Sequence, residues 1–462
     1  MDARRETNPF LMGYYRPVSE ELDLTRVPVI GSVPSGLRGM FLRNGPNAAF
    51  EPRGAYHPFD GDGMLHRIRV TDEGVSYRNR YVDTPGLALE RRLGRAAFSG
   101  FAELGMPEPE ALREVGMVKH VANTHIVEHA GKLLALWEGG MPYEVDGDLE
   151  TLGLEHFSGD YRGPFTAHPC LDAHTGEMFA FGYNATPPFL TLLVVGPDGR
   201  LRQREVIDIP KPVMMHDFAL SASRVVFLDS PAHFDVVTAL RGDGPIIQWK
   251  PEFGCRIGVM PRGGSNVDVR WFEVEPFYAY HFMNAHDDGE RVILDAARLD
   301  AVNTFGLDDL YEAPSSRLSR FTIDLQSGTV EEEVIDARPI EFPRVPSDRV
   351  TLAQRFGYGA SFSGKRTMAD YDISLRYDFE TGRHQHYFHG PGRYVGELAF
   401  APDPEGVGEE AGWLVGFVYD SDRDASDFVV LDTRDIPAGP VARAELPCRV
   451  PSGIHCSWIA GS

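Results

Sequence analysis

Short runs of β-branched, aromatic and aliphatic residues recur along the chain, and charged or glycine-containing turns separate them. Residues 65–70 and 75–82 flank Gly74, an arrangement typical of a β-hairpin. Comparable runs beside a charged residue occur at 132–137, 224–229, 291–295, 320–325 and 427–432. No strict sequence period emerges, so the pattern predicts many short strands joined by tight turns.

Many short strands in one chain are typical of a sandwich, a barrel or a propeller. For a chain of 462 residues, about seven four-stranded blades fit best. The main helical candidates lie near residues 86–114, where leucines stand among charges and two prolines interrupt. We therefore predict one all-β domain over residues 1–462, a seven-bladed β-propeller with residues 86–117 as a helical and loop insertion over one face.

Composition narrows the class of partner. The 48 glycines and 34 prolines agree with many tight turns. The formal net charge of −23 repels nucleic-acid phosphate, so we expect no nucleic-acid partner. The same charge disfavours electrostatic binding to anionic membranes, but it does not oppose insertion of an apolar patch.

The four cysteines are widely scattered and form no Cys-x-x-Cys spacing, which argues against a zinc site or a disulfide framework. Scattered thiols suit a reducing cytoplasm, where we expect the protein to lie. The first residues lack the apolar core of a signal peptide. No stretch approaches the roughly 20 apolar residues of a membrane span.

Four of the sixteen histidines stand in apolar or small-residue settings, where a buried imidazole needs a partner. They are His168, His216, His281 and His455. The gaps of 48, 65 and 174 residues between them are too long for one helical site. They suit ligands from several blades that point at a common axis. From spacing alone, hydrogen-bonded core histidines remain the alternative.

A rival histidine cluster lies at His384, His386 and His389. Alternation places His384 and His386 on one face of a strand, where they could bind a metal. The alternative is an exposed polar strand that follows a turn.

Three glutamates follow or interrupt apolar runs: Glu138, Glu341 and Glu397. A neutral histidine that ligates a metal through one nitrogen donates its other N–H, usually to a carboxylate. These glutamates are therefore candidate acceptors, and solvent-exposed carboxylates are the alternative.

Several separate motifs follow one another along almost the whole chain. They are Asn8-Pro-Phe-Leu-Met-Gly-Tyr-Tyr-Arg-Pro-Val, Gly36-Leu-Arg-Gly-Met-Phe-Leu-Arg-Asn-Gly-Pro-Asn, Phe59-Asp-Gly-Asp-Gly-Met-Leu-His, Leu133-Leu-Ala-Leu-Trp-Glu-Gly-Gly-Met-Pro-Tyr and Gly396-Glu-Leu-Ala-Phe-Ala-Pro. In these motifs and in its four histidine segments, the chain resembles the carotenoid cleavage oxygenase family.

The resemblance implies a seven-bladed propeller with a dome of loops and helices over a metal. It implies Fe(II) held by four histidines, three of them hydrogen-bonded to glutamates, with a threonine near the vacant coordination position. In this sequence those residues are His168, His216, His281, His455, Glu138, Glu341, Glu397 and Thr124. Cys456 stands where the family commonly has glycine, and a thiol there could crowd the site or be oxidised.

The family splits one C=C bond with O2 and yields two carbonyl products without an organic cosubstrate. The protein's task is then to place one alkene beside the iron and to exclude water. Two alternatives belong to other classes: a non-oxidative isomerase, and a propeller that only binds apolar ligands.

Relatives that cleave hydroxystilbenes carry lysine where this chain has Trp137, and tyrosine where it has Phe101. Those polar groups grip the phenol, whereas here both positions are apolar. With Phe59 they are our candidate substrate contacts, and they favour a carotenoid or apocarotenoid over a stilbene or phenylpropenoid. Lys119 and Lys132 are the other lysines close by in sequence.

A polyene is insoluble in water, so the protein must collect it from a membrane or a carrier. We expect peripheral membrane contact through an apolar patch within residues 86–112, formed by Leu87, Leu89 and Leu93. We also expect a monomer or a weak oligomer.

Overall fold

The computed structural model describes residues 8–101, 103–159, 161–302, 315–364 and 370–461. Its strands form seven main sheets, and neighbouring strands within each sheet run antiparallel. The sheets are the blades of a seven-bladed β-propeller, which confirms the predicted fold class.

Blades 2 to 6 each consist of four strands in chain order, except that blade 4 also carries a two-stranded ribbon. Blade 2 contains β6 (His125–His129), β7 (Lys132–Leu136), β8 (Tyr143–Val145) and β9 (Thr151–Leu154). Blade 3 contains β10 (Cys170–Leu171), β11 (Met178–Tyr183), β12 (Leu190–Val195) and β13 (Leu201–Ile207). Blade 4 contains β14 (Ala219–Leu220), β15 (Arg224–Asp229), β18 (Cys255–Pro261) and β19 (Arg270–Val274), with the ribbon β16 (Ala232–Phe234) and β17 (Ile247–Trp249).

Blades 5 and 6 continue the ring. Blade 5 contains β20 (Tyr278–Asp288), β21 (Arg291–Leu299), β22 (Arg317–Asp324) and β23 (Thr329–Asp336). Blade 6 contains β24 (Glu341–Arg344), β25 (Phe356–Ser361), β26 (Ile373–Asp378) and β27 (Arg383–Phe388).

Blades 1 and 7 combine early and late segments of the chain, and this closes the ring. Blade 1 contains β1 (Asp23–Leu24), β3 (Gly39–Asn47), β4 (Asp62–Thr71), β5 (Gly74–Tyr81) and β33 (Cys456–Ala460). Blade 7 contains β2 (Val29–Gly31), β28 (Arg393–Val395), β29 (Ala399–Pro402), β30 (Gly412–Asp420), β31 (Ala425–Asp432) and β32 (Pro440–Glu445). Because β33 pairs with β3, the inner edge of β3 is covered rather than open.

The hydrophobic core lies mainly between neighbouring blades. Phe41 of β3 meets Phe417 of β30 edge-to-face, with ring centroids 5.2 Å apart, and both side chains are buried. Such contacts join each blade to the next around the ring. The innermost strands and the loops that precede them are thereby held around the central axis.

Within the described ranges, the helices are few and short. They are α1 (Pro85–Leu93), α2 (Pro109–Glu114) and α3 (Val236–Leu240), with 3-10 turns at Pro9–Leu11, Gly13–Tyr15, Pro58–Asp60, Pro251–Phe253, Asn266–Asp268, Ser347–Arg349 and Ile436–Ala438. Thr84 caps α1 by accepting from the Leu87 N–H, and the helix ends at Gly94 with φ +69°. Among the described residues, no helix is long and apolar enough to span a membrane.

The predicted membrane patch on α1 is wrong. Leu87 and Leu89 are buried, and Leu93 packs against the small cluster that contains Leu89 and Phe98. An amphipathic helix turns its apolar stripe toward the core, and α1 does so. The exposed apolar side chains of this region follow α1 instead: Met106, Leu112, Met117 and Val118.

Candidate functional site

The four predicted histidines meet at the centre of the propeller. His168 precedes β10, His216 precedes β14, His281 lies in β20, and His455 precedes β33. They thus come from blades 3, 4, 5 and 1, and one ring nitrogen of each lies within 4.8 Å of the others. The Nε2 atoms of His168 and His216 are 3.1 Å apart.

Three of the histidines are oriented by carboxylates. In each contact Nδ1–H donates to a glutamate oxygen, so Nε2 carries the lone pair that faces the centre. The distances are 2.9, 2.8 and 3.3 Å for His216–Glu138, His281–Glu341 and His455–Glu397. The structure therefore brings all three predicted glutamates to the histidine cluster.

The donor set suits a metal ion. The Nε2 atoms of His281 and His455 are buried and have no hydrogen-bond partner among the described residues. Histidine nitrogens bound at right angles, about 2 Å from one metal, lie about 3 Å apart, close to the separation of the His168 and His216 atoms. Without a metal these lone pairs would be buried and unsatisfied, which is costly.

Burial keeps two of the imidazoles neutral, the form that binds metal. Burial lowers the pKa of His455 to about 3, although Glu397 opposes the shift. Burial and the neighbouring histidines hold the pKa of His168 well below its usual value. For His281 burial also lowers the pKa, but the Glu341 carboxylate outweighs it and the net pKa is raised.

Asp217 ties two histidine segments together. Its carboxylate accepts from the Phe218 N–H at 2.7 Å and from the Phe282 N–H at 2.8 Å, two residues after His216 and one residue after His281 respectively. Burial raises the pKa of Asp217 to about 6. His216 itself has φ +65°, a conformation uncommon for a side chain of this size, so the surrounding contacts must hold it there.

A cavity of about 700 Å³ opens over the histidines. Its size is typical of small-molecule sites. Thr124 and the three candidate substrate contacts, Phe59, Phe101 and Trp137, all line it, together with Tyr183, Tyr280, Phe342 and other largely apolar side chains. The loop between α1 and α2 contributes Ala96, Phe98 and Leu104 to the same wall.

Thr124 is fixed beside the centre. Its hydroxyl donates to Asn123 Oδ1 at 3.1 Å, and its carbonyl accepts from the His455 N–H at 3.1 Å. Asn123 in turn donates to the carbonyls of Phe59 and Gly61. These bonds connect the Phe59 motif, Thr124 and the last histidine in one network.

Comparison with known proteins decides the family. The family model described as RPE65, retinal pigment epithelial membrane protein, matches residues 15–460. The carotenoid 9,10(9',10')-cleavage dioxygenase of Crocus sativus is 35% identical, with 97% of this chain and 89% of that protein covered. The chain belongs to the carotenoid cleavage oxygenase family.

Solved structures of similar proteins superpose on this chain over nearly its whole length. Pseudomonas brassicacearum lignostilbene dioxygenase superposes with a TM-score of 0.92 at 30% identity, and 98% of this chain and 99% of that chain are covered. A mutant of Synechocystis apocarotenoid oxygenase superposes with a TM-score of 0.87 at 28% identity, covering 96% and 97%. The resemblance stated from the sequence motifs is therefore confirmed.

The rival histidine cluster does not form a metal site in this carotenoid oxygenase. His384 is exposed on β27 and its Nε2 lies 2.7 Å from Arg338 Nη2. His389 is buried, but its ring bonds the Ser374 hydroxyl at 2.8 Å. Within the described ranges these histidines join no metal-binding group.

Sequence reasoning missed Arg344. Its Nε donates to Glu397 Oε1 at 2.9 Å, and its Nη2 donates to the Cys456 carbonyl at 2.6 Å. Arg344 lies three residues after Glu341 in β24, and that spacing was the only sequence signal. A positive φ of 52° at Phe342 and an irregular register let Glu341 and Arg344 reach different partners.

Cys456 is bound to Glu397 rather than free to crowd the site or to be oxidised. Its Sγ donates to the Glu397 carbonyl at 3.4 Å, and its N–H donates to Glu397 Oε2 at 2.6 Å. Burial raises the pKa of the thiol well above its usual value. Because the thiolate is the reactive form, Cys456 is a poor nucleophile here and supports Glu397 instead.

His125 is a fifth histidine near the centre that sequence reasoning did not single out. Its ring lies 5.3 Å from that of His455, and its Nδ1 donates to the Ala167 carbonyl at 2.9 Å. The Ala167 carbonyl thus engages Nδ1 of His125, while its Nε2 lies 3.3 Å from the Ser457 hydroxyl oxygen.

Proposed function

We propose that this protein is a non-haem iron(II) dioxygenase that cleaves one C=C bond of a carotenoid or apocarotenoid. One C=C bond breaks, both atoms of O2 enter the products, and two C=O bonds form. The observation that carries this proposal is the four-histidine cluster, with its Nε2 atoms converging beneath a largely apolar cavity. The Crocus and Synechocystis relatives, named for carotenoid and apocarotenoid substrates, support the same chemistry.

The metal in this proposal is iron. Imidazole binds zinc, copper, nickel and iron, so the four ligands alone do not select among them. Zinc has no redox chemistry, and a dioxygenase needs a metal that exchanges electrons with O2. His168, His216, His281 and His455 would hold the iron(II), which would supply the redox chemistry that O2 activation needs.

The residues around the centre then have distinct tasks. Glu138, Glu341 and Glu397 hold three imidazoles in the tautomer that ligates. Thr124 borders the open side of the site. The aromatic wall, which includes Phe59, Phe101 and Trp137, excludes water and positions the polyene.

Cleavage of a stilbene or phenylpropenoid is the second candidate, because the lignostilbene dioxygenase structure is very similar. Against it, Phe101 offers no polar group to a phenol and Trp137 offers only an indole N–H, so neither position supplies an acceptor for the phenol hydroxyl. A phenol hydroxyl that lacks an acceptor at these two positions is disfavoured there. The polyene is therefore our primary substrate class.

The test is anaerobic purification, metal analysis, and O2 uptake with product mass spectrometry for a carotenoid, an apocarotenal and a hydroxystilbene. We expect iron, O2 consumption and two carbonyl products from a polyene. Cleavage of the hydroxystilbene alone would favour the second candidate. Double-bond isomerisation without O2 uptake would identify an isomerase, and binding without metal would identify a binding propeller.

His216→Ala should remove bound iron and abolish O2 uptake, because the variant lacks one of four ligands and leaves Glu138 without its partner. The matched control is His384→Ala, since His384 is an exposed histidine on β27. Unchanged O2 uptake in His216→Ala would contradict the metal assignment.

We further propose peripheral contact with a membrane through Met117 and Val118. Both side chains are more than half exposed and also line the cavity. A polyene could pass from lipid into the cavity at this point. The cytoplasmic location and the monomeric or weakly oligomeric state stay predictions.

A further inference from the structure

A buried ionic group lies in the wall of the cavity in addition to the histidine centre. Lys119 Nζ is 2.5 Å from Asp62 Oδ1 and 2.5 Å from Glu90 Oε2. The three side chains are only 10%, 5% and 3% exposed, and all three line the cavity. We call Lys119, Asp62 and Glu90 the polar subsite.

The hydrogen bonds of the polar subsite leave capacity for a ligand. Glu90 Oε1 accepts from the Ala97 N–H at 2.8 Å, and Asp62 Oδ2 accepts from the Ala49 N–H at 3.3 Å. Among the described residues, the two carboxylates are the partners of the ammonium, which has three N–H donors. One donor therefore remains, as do further lone pairs on the carboxylates.

The charge of the polar subsite exceeds what a structural ion pair needs. Burial lowers the pKa of Lys119, but Asp62 and Glu90 outweigh it and the net pKa is raised, so the ammonium persists. One carboxylate would be enough to neutralise it. A second carboxylate in the same apolar wall adds a desolvation cost, which a ligand that donates a hydrogen bond would offset.

We propose that the polar subsite binds a hydroxyl group at one end of the polyene substrate. A hydroxyl both accepts, here from Lys119, and donates, here to a carboxylate. A carbonyl only accepts, and a hydrocarbon end does neither. This inference rests on the proposed function and narrows its substrate class to ring-hydroxylated carotenoids or apocarotenoids.

The position of the polar subsite gives it a further role. Lys119 lies five residues before Thr124, so their Cα atoms are at most about 18 Å apart. The hydroxyl end is thus held at a fixed distance from the histidine centre along one cavity. That distance decides which double bond lies over the centre.

The test compares two apocarotenals that differ only by a ring hydroxyl. Their affinities are measured on the iron-loaded protein without O2, which prevents turnover, by quenching of tryptophan fluorescence, since Trp137 lines the cavity. We expect the hydroxylated compound to bind about tenfold to hundredfold more tightly, as hydrogen bonds to charged groups allow. Lys119→Met should abolish this preference.

Lys132→Met is the matched control. Lys132 Nζ also pairs with two glutamates, Glu144 at 2.8 Å and Glu155, but this group does not line the cavity. Its loss should leave the preference unchanged. If Lys119→Met fails to fold, Glu90→Gln serves instead, because its amide oxygen can still accept from Ala97 while one acceptor charge is lost.

Equal affinity of the wild-type protein for the two apocarotenals would overturn the inference. A preference that survives in both Lys119→Met and Glu90→Gln would overturn it too. Failure of the proposed function looks different: no iron is bound, or no O2 is consumed with either compound. The same affinity comparison is made for a second pair, stilbene and hydroxystilbene. If Lys119 increases affinity for the hydroxylated compound in this second pair alone, the assignment of the hydroxyl to a polyene is overturned.

Discussion

The three glutamates that orient the histidines are not equivalent. Glu341 contacts His281 at 2.8 Å, whereas Glu397 lies 3.3 Å from His455 and also accepts from Arg344 and the Cys456 N–H. A carboxylate shared among several donors polarises each of them less. We therefore expect His281 to be the histidine whose orientation depends most on one carboxylate.

Glu341→Gln should weaken metal binding by about 10- to 100-fold, the usual effect of losing such an acceptor. The physical reason is that an amide is a weaker acceptor than a carboxylate for His281 Nδ1–H. Competition with a chelator of known affinity measures the change. Glu331→Gln on β23, an exposed position, is the control, and equal affinities in the two variants would refute the role of Glu341.

The residue types at the centre were predictable and their pairing was not. The settings of the four histidines and the three glutamates left hydrogen-bonded core histidines and exposed carboxylates as alternatives, and the family resemblance was what selected these residues. Arg344 meets Glu397 across 53 residues of chain, through an irregular strand whose bend no local pattern reveals. Contacts of this kind depend on blade packing, which the linear sequence does not display.

At the level of elements, local turn chemistry was the most informative signal. The run on either side of Gly74 became the β4–β5 hairpin, as predicted. The leucines of α1 were misjudged because helical periodicity shows that one face is apolar but not what covers it. Neighbouring segments of the same chain cover the apolar face of α1, and Leu87 packs beside Met64 and Tyr81.

The β26–β27 pair carries a buried histidine that should make stability depend on pH. His389 follows β27 and bonds Ser374 of β26, and burial lowers its pKa to about 3. Between that value and the ordinary 6.5, the unfolded chain binds a proton that the folded chain does not. Stability therefore falls as pH falls through this window.

Between pH 6.5 and 5.5 this titration should cost about 1 kcal/mol of unfolding free energy, and His389→Asn should remove that part of the loss. Chemical denaturation of both proteins at the two pH values measures it. His386→Asn, at an exposed position of β27, should behave as the wild type. An equal loss in His389→Asn and wild type would contradict the assignment.

At the scale of the whole molecule, the acidic surface and the apolar cavity mouth favour different lipids. The net charge of −23 opposes anionic bilayers, while Met117 and Val118 favour insertion into any bilayer. Binding to neutral vesicles should therefore exceed binding to anionic ones at low salt.

Replacing Met117 and Val118 together by Ser should reduce binding to neutral vesicles several-fold, because each side chain loses apolar area that the bilayer would cover. Sedimentation with neutral vesicles measures the bound fraction. Val267→Ser provides the control, since Val267 is 88% exposed and does not line the cavity. Full binding by the double variant would place the contact elsewhere.

The pairing of β33 with β3 has a consequence for how the centre is assembled. His455 directly precedes β33, and it enters the chain 174 residues after His281. During synthesis three of the four histidines therefore emerge long before the fourth, and they face a ring that is still open. On the proposed metal assignment, high-affinity loading has to wait for ring closure, so a chain that binds the metal tightly has already completed its fold.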